Sequence, residues 1–222
     1  MKYTIISISD DRKENINKIK KLMHKHEFVE DITFFDGRKE EPFNILQGYG
    51  VRTDVYAPDD GRTDPMTRSE CGCWISQYRC IEYAKNNGTL IVLEDDAVLS
   101  KNFSTRLEES MKDLPEGWDF LSLYSEPGQN FVSKSSEINS ESIHRCISQL
   151  SITAAMVYSK NGSEKMLKIF KRLGASYNID SVIYRASRAG SLNGFIVRPD
   201  IEQYVSHGDF ASIIDPENKR NI

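Results

Sequence analysis

The residues best suited to chemistry stand together. Glu94, Asp95 and Asp96 close the apolar run of TLIVLEDDAVL, residues 89–99. The β-favouring stretch Leu90 to Leu93 stops at them, and the chain turns apolar again at Ala97. Charge at the end of a buried strand is costly unless it is solvated, paired or bound to a cation. Adjacent carboxylates also repel one another unless a cation intervenes. Oxygen ligands of this kind suit a hard divalent cation, Mn²⁺ or Mg²⁺, which can also bridge to phosphate oxygens. Strand alternation sends Glu94 and Asp96 to one side and Asp95 to the other. Glu94 and Asp96 are therefore the expected metal-facing pair. The competing reading is structural: the acids cap the following turn or pair with Lys and Arg.

The elements that must position this cluster follow from periodicity. Residues 3–9 read as a buried strand, and 12–26 as a helix with Ile16, Ile19, Leu22 and Met23 at helical spacing. Residues 32–35 read as a second strand closed by Asp36-Gly37, so the order is that of a parallel strand–helix–strand unit. A long irregular excursion, 37–67, carries a short helix near 42–47. Thr67 and Glu70 fit a capping box that opens a helix ending at Asn87-Gly88. Beyond the acidic strand, the reading is a helix at 103–113, a strand at 118–124, a surface loop or hairpin at 125–142 and a strand at 152–158. A helix at 163–173, another at 180–186, a strand at 194–197 and an irregular tail from 209 follow. Open α/β sheets collect ligands at the carboxyl ends of their strands, and Glu94 to Asp96 lie at such an end.

Composition narrows the function. The chain has 222 residues, 39% of them hydrophobic, with a net charge of −4. That is one α/β domain with a core, without the basic excess of a protein built to grip a nucleic-acid backbone. The cluster Arg12, Lys13, Lys18, Lys20, Lys21 and Lys25 is a candidate basic patch, but a solvated helix face explains it better. No apolar run reaches the bilayer-spanning length of about 20 residues. The opening MKYTIISISDDRKEN reads as a first strand rather than a signal peptide, which makes the expected compartment cytoplasmic. Cys71, Cys73, Cys80 and Cys146 are expected as free thiols. A zinc site from Cys71, Cys73, His144 and Cys146 lacks the usual spacings, and a thiol nucleophile lacks a neighbouring His base.

The segment SECGCWISQYRCIEYAKNNGTLIVLEDDAVL resembles the core of glycosyltransferase family 25, the lipopolysaccharide and collagen glycosyltransferase group. Glu70, Gly72, Cys73, Ser76 and Glu94-Asp95-Asp96 match its helix and acidic strand. The resemblance continues in order through IISISDDRKENI, ITFFDG, SITAAMVYSKNGSEKML, YNIDSVIY and GFIVRPDIEQYVSHGDFASII. One departure stands out: the family has His after the helix serine, and this chain has Gln77.

The resemblance implies a GT-A type, Rossmann-like fold, a mixed and mostly parallel sheet flanked by helices. A single domain over 1–222 would hold the donor mainly in 1–100 and the acceptor mainly in 101–222. It implies a nucleotide-diphosphate sugar donor and Mn²⁺ or Mg²⁺ held by Glu94, Asp96 and His207, with Asp95 in support. Asp180 matches the acceptor-site acid and is the candidate base; its structural alternative is to cap the helix that follows. Ser9, Arg12, Asp36 and Gly37, at the ends of the first two strands, are expected to meet the nucleotide, with Glu70 and Gln77 beside the donor. The implied reaction inverts the anomeric centre. The favoured acceptor is an oligosaccharide, as in lipopolysaccharide or capsule synthesis. The alternatives are a hydroxylated base in modified DNA or another nucleic acid and, in another class, an inactive sugar-nucleotide or carbohydrate binding module.

Overall fold

A computed structural model describes residues 1–8, 10–37, 39, 41–53, 66–124, 143–147, 153–175, 177–197 and 205–207. The expected loop or hairpin at 125–142, the tail from 209 and much of the 37–67 excursion lie outside them. The strands of the main sheet are β1 (Lys2–Ile6), β2 (Glu27–Phe28), β3 (Leu90–Glu94), β5 (Phe120–Ser122), β6 (Ile143–Arg145), β7 (Ala155–Tyr158) and β8 (Gly194–Val197). Among the described residues they lie in the order β2-β1-β3-β7-β5-β8-β6. β2, β1, β3, β5 and β8 share one direction, while β7 and β6 run against it. The sheet is therefore mixed. β4 (Ala97–Leu99) and β9 (Val205–His207) form a separate antiparallel pair.

β3 is the hub. Its residues Leu90 to Leu93 are fully buried, as expected for a strand covered on both faces. Leu90 and Val92 enter one core with helices α2 (Pro42–Gly48), α3 (Arg68–Asn87), α5 (Lys160–Leu173) and α6 (Ile179–Arg188). Ile91 and Leu93 enter the other with α1 (Lys13–Leu22) and α4 (Phe103–Asp113). The period of two thus aims Glu94 at the α3 side and Asp95 at the α1 side. α3 begins at the predicted capping box, with Thr67 Oγ1 accepting from Glu70 N at 3.2 Å and Glu70 Oε2 accepting from Thr67 N at 2.7 Å. It ends at Gly88, whose φ of +99° favours glycine.

Residues 32–35 are not a strand. The second strand is instead Glu27–Phe28, paired in parallel with β1. After Val29 the chain leaves the sheet and lies on α3. Phe35 N donates to Ser76 Oγ at 3.1 Å, and Arg79 Nη1 donates to Thr33 O at 2.8 Å. Two glycines make that approach possible. A Cβ on Gly72 would meet Gly37 N at 2.7 Å, and one on Gly37 would meet Arg68 O at 1.9 Å. Thr33 O and Phe35 N thus find partners in side chains of the helix rather than in a strand ladder. The first helix is also shorter than its periodicity suggests: a 3-10 turn, Asp10–Arg12, precedes α1, and α1 ends at Leu22.

Candidate active site

The parallel register pairs Ile6 with Glu94, so the carboxyl ends of β1 and β3 lie side by side. The chain steps from β1 outward to β2 and then back across to β3, which makes the β1/β3 boundary the switch point where open α/β sheets take ligands. Asp95 N donates to Ile6 O at 3.0 Å and Glu94 N donates to Ala154 O at 2.8 Å, fixing the acidic segment between its neighbours.

Each carboxylate has different company. Glu94 Oε1 accepts from Thr153 Oγ1 at 2.9 Å and from Gln77 Nε2 at 3.3 Å. Asp95 Oδ1 lies 2.6 Å from Arg12 Nη1, and Asp96 Oδ2 lies 3.1 Å from the same nitrogen. Arg12 and Asp95 are buried. Asn15, one turn along α1, donates from Nδ2 to the carbonyls of Asp95 at 2.8 Å and Ala97 at 3.0 Å, clamping the turn. Alternation therefore holds through Asp95 and then stops, because residues 95–96 form a turn. Asp96 bonds Arg12 on the α1 side and still acts on Glu94 across the strand end.

Charge here is under-compensated. Burial raises Glu94 to about 7, and the neighbouring charge of Asp96 adds to the rise. Asp95 Oδ2 is buried with no hydrogen-bond partner among the described residues. Arg12 bonds Asp95 and Asp96, while Glu94 has only the neutral donors of Thr153 and Gln77; carboxylates of this kind have the oxygen chemistry and charge that suit a divalent cation. Among the described residues no group of three His, Cys, Asp or Glu side chains converges on a metal position. β9, however, pairs His207 with Ala97, next in sequence to Asp96.

Asp180 lies in the first turn of α6; the N-cap is Asn178, so the expected capping role of Asp180 is corrected. Burial raises Asp180 to about 6, opposed by a 2.7 Å bond from Ser181 N to its Oδ1, and Glu70 adds a smaller rise. Burial, then the charges of Glu94 and Asp180, push the Cys73 thiol well up. Cys73 thus feels the charge of both acids, in surroundings that disfavour a thiolate nucleophile.

Of the other expected donor residues, Asp36 is buried with its Oδ2 3.4 Å from Lys39 Nζ. Gly37 packs on α3, Glu70 closes the capping box, and Arg12 is turned inward to the acids instead of lying on a solvated helix face. Ser9 lies outside the described residues. Sequence reasoning missed Asn15, Thr153 and Tyr158, whose hydroxyl lies 3.0 Å from Gln77 Oε1. Asn15 alone had a signal, a polar residue among the apolar positions of α1 three residues after Arg12. Thr153 and Tyr158 had none, since their role depends on how β7 lies beside β3.

Among the described residues no helix is long and apolar enough to cross a membrane. The family described as "Glycosyltransferase family 25 (LPS biosynthesis protein)" matches residues 1–183. A rat protein named "Probable inactive glycosyltransferase 25 family member 3" is 36% identical over 85 residues, 36% of this chain and 14% of its own length. Its bovine counterpart is 32% identical over 131 residues, 56% of this chain and 20% of that one. An Aedes aegypti "Glycosyltransferase 25 family member" is 33% identical over 98 residues, 41% of this chain and 16% of that one. The chain thus covers a fifth or less of each of these relatives. With the match extending from β1 through the acidic strand and into α6, the chain belongs to glycosyltransferase family 25.

Proposed function

We propose that the chain is a GT-A type, metal-dependent transferase that moves a sugar from a nucleotide-diphosphate donor to an acceptor hydroxyl. The observation that carries this reading is the gathering of Glu94, Asp95 and Asp96 at the β1/β3 switch point, with Glu94 raised to about 7 and Asp95 Oδ2 left without a hydrogen-bond partner among the described residues. Glu94 and Asp96, joined by His207, would hold Mn²⁺ or Mg²⁺. When bound, the ion supplies Lewis-acid neutralisation of the leaving diphosphate. Arg12 and Asn15 hold the acidic turn in place, and Asp95 serves through its ion pair with Arg12.

Asp180 is the proposed base. Its carboxylate, raised to about 6, takes the proton of the acceptor hydroxyl as that oxygen bonds to the anomeric carbon. The bond from that carbon to the diphosphate oxygen breaks in the same displacement, which inverts the centre. The carbohydrate acceptor is favoured over DNA because the net charge is −4 and four of the candidate cations are engaged within the protein. Arg12 bonds Asp95, Lys20 lies over Phe28, and Arg185 and Arg188 bond Tyr177 and Tyr184. An inactive binding module is the second reading, favoured by the word "inactive" in the names of the rat and bovine relatives.

The test is thermal stability against a panel of nucleotide-diphosphate sugars, with and without Mn²⁺. A ligand that binds the native state raises the midpoint by mass action. A Mn²⁺-dependent rise with one donor supports the donor site, and sugar release or transfer from that donor separates transferase from binding module. No shift with any donor overturns the transferase and the sugar-nucleotide binding readings.

A further inference from the structure

Resting on that donor-site reading, we infer that Tyr158 and Gln77 form a buried relay that fixes which oxygen of Glu94 is presented to the cation. Gln77 is then a positioning residue rather than a mark of lost activity. Tyr158 and Gln77 have no exposed surface. Tyr158 OH lies 3.0 Å from Gln77 Oε1, and Gln77 Nε2 lies 3.5 Å from the Thr153 carbonyl and 3.3 Å from Glu94 Oε1.

The orientation of the amide follows from donor and acceptor roles. A carbonyl only accepts, so the nitrogen must face Thr153 O, and the amide oxygen must face Tyr158. Tyr158 then has to donate. With one N–H directed at Thr153 O, the other is aimed at Glu94. The Thr153 hydroxyl donates to the same Glu94 oxygen at 2.9 Å. Both donors fall on Oε1, which assigns Oε2 to the cation. Reversing the amide would place its oxygen against a carbonyl and a carboxylate, so the Tyr158 hydroxyl works as a latch two bonds away from the metal position. Groups that orient a ligand in this way change metal affinity by about 10–100-fold when removed.

The test is Mn²⁺ binding to the whole chain, followed by the paramagnetic resonance of the free ion. Gln77→Leu and the milder Tyr158→Phe are each expected to weaken Mn²⁺ by about tenfold or more. The double variant is expected to bind no more weakly than the weaker single one, because both cut one relay. Tyr78→Phe, at a buried tyrosine stacked on Tyr49, is expected to bind as the parent does. If the parent binds Mn²⁺ and both relay variants bind equally well, or their losses simply add, the relay is overturned and the donor site stands. If the parent binds no Mn²⁺, the metal reading falls and takes the relay with it.

Discussion

Two buried acids at opposite ends of the sheet meet their charge in opposite ways. Asp119, just before β5, has no exposed surface, and both its oxygens lie 2.9 Å from Lys165 Nζ. Asn193 N donates to Oδ2 at 2.7 Å as well. That carboxylate is matched by one cation and a backbone donor, which is what burial of a charge requires. At the carboxyl end of β3, Asp95 and Asp96 share the guanidinium of Arg12, Glu94 meets only the neutral donors of Thr153 and Gln77, and Asp95 Oδ2 is left with no hydrogen-bond partner among the described residues. The first acid closes a structure. The second group holds an open charge that a ligand can complete, and incomplete compensation is what separates a candidate site from a staple.

Removing the shared cation breaks the comparison most severely. Arg12→Ala leaves Asp95 and Asp96 without the guanidinium that bonds both of them. Breaking a buried pair on one side costs about 3–5 kcal/mol, a large part of the stability of a typical domain. Chemical denaturation at neutral pH is expected to show that loss, and added Mn²⁺ to recover part of it by binding the native state. A variant as stable as the parent would mean that the acids are solvated and the site is not under-compensated.

A crossed pair of substitutions sharpens the contrast. Asp96→Asn keeps an acceptor for Arg12 and relieves Glu94. It is expected to change stability by less than about 1 kcal/mol, yet to slow the proposed metal-dependent transfer roughly 100-fold or more. Asp119→Ala strands Asn193 N and empties the partner position of Lys165. It is expected to cost about 2–3 kcal/mol of stability while transfer by the folded enzyme is unchanged. Denaturation curves and turnover on both variants give the four values. Reversal of either pair would place the chemistry elsewhere.

The two ends also differ in how far the sequence revealed them. The acidic strand was legible because an apolar run ending in charge is a local pattern, and so were the capping box at Thr67 and Glu70 and the helices at both cores. Asp119 gave no signal, because its partners Lys165 and Asn193 come from distant segments. The path of residues 32–35 was misread for a related reason. Their apolar residues suit a strand or a helix-packed segment equally, and the choice is made by Gly37 and Gly72, whose backbones meet only in three dimensions. Arg12 read as a helix residue or a nucleotide contact, since its charge partners lie 83 and 84 positions away. Local periodicity shows which face is apolar. It does not show which buried polar groups will find each other.

The pH-dependent effect is the one most specific to the open end. Burial, then Asp96, raises Glu94 from 4.5 to about 7, against the opposing bonds from Thr153 and Gln77. Between those values the native state holds a proton that the unfolded chain has released. Stability from this group is therefore fully present below its unfolded pKa and lost as pH rises through about 7, with a slope of up to about 1.4 kcal/mol per pH unit. Glu94→Gln abolishes that dependence. Without metal, the variant is expected to match the parent at about pH 5 and to exceed it at about pH 8. Mn²⁺ reverses the order at the higher pH, because it binds the ionised carboxylate and stabilises only the parent. Stability profiles that run parallel for parent and variant would show that Glu94 is already compensated, like Asp119. Its neighbours Thr153 and Gln77 would then be enough to hold the charge, and the open end of the sheet would be closed after all.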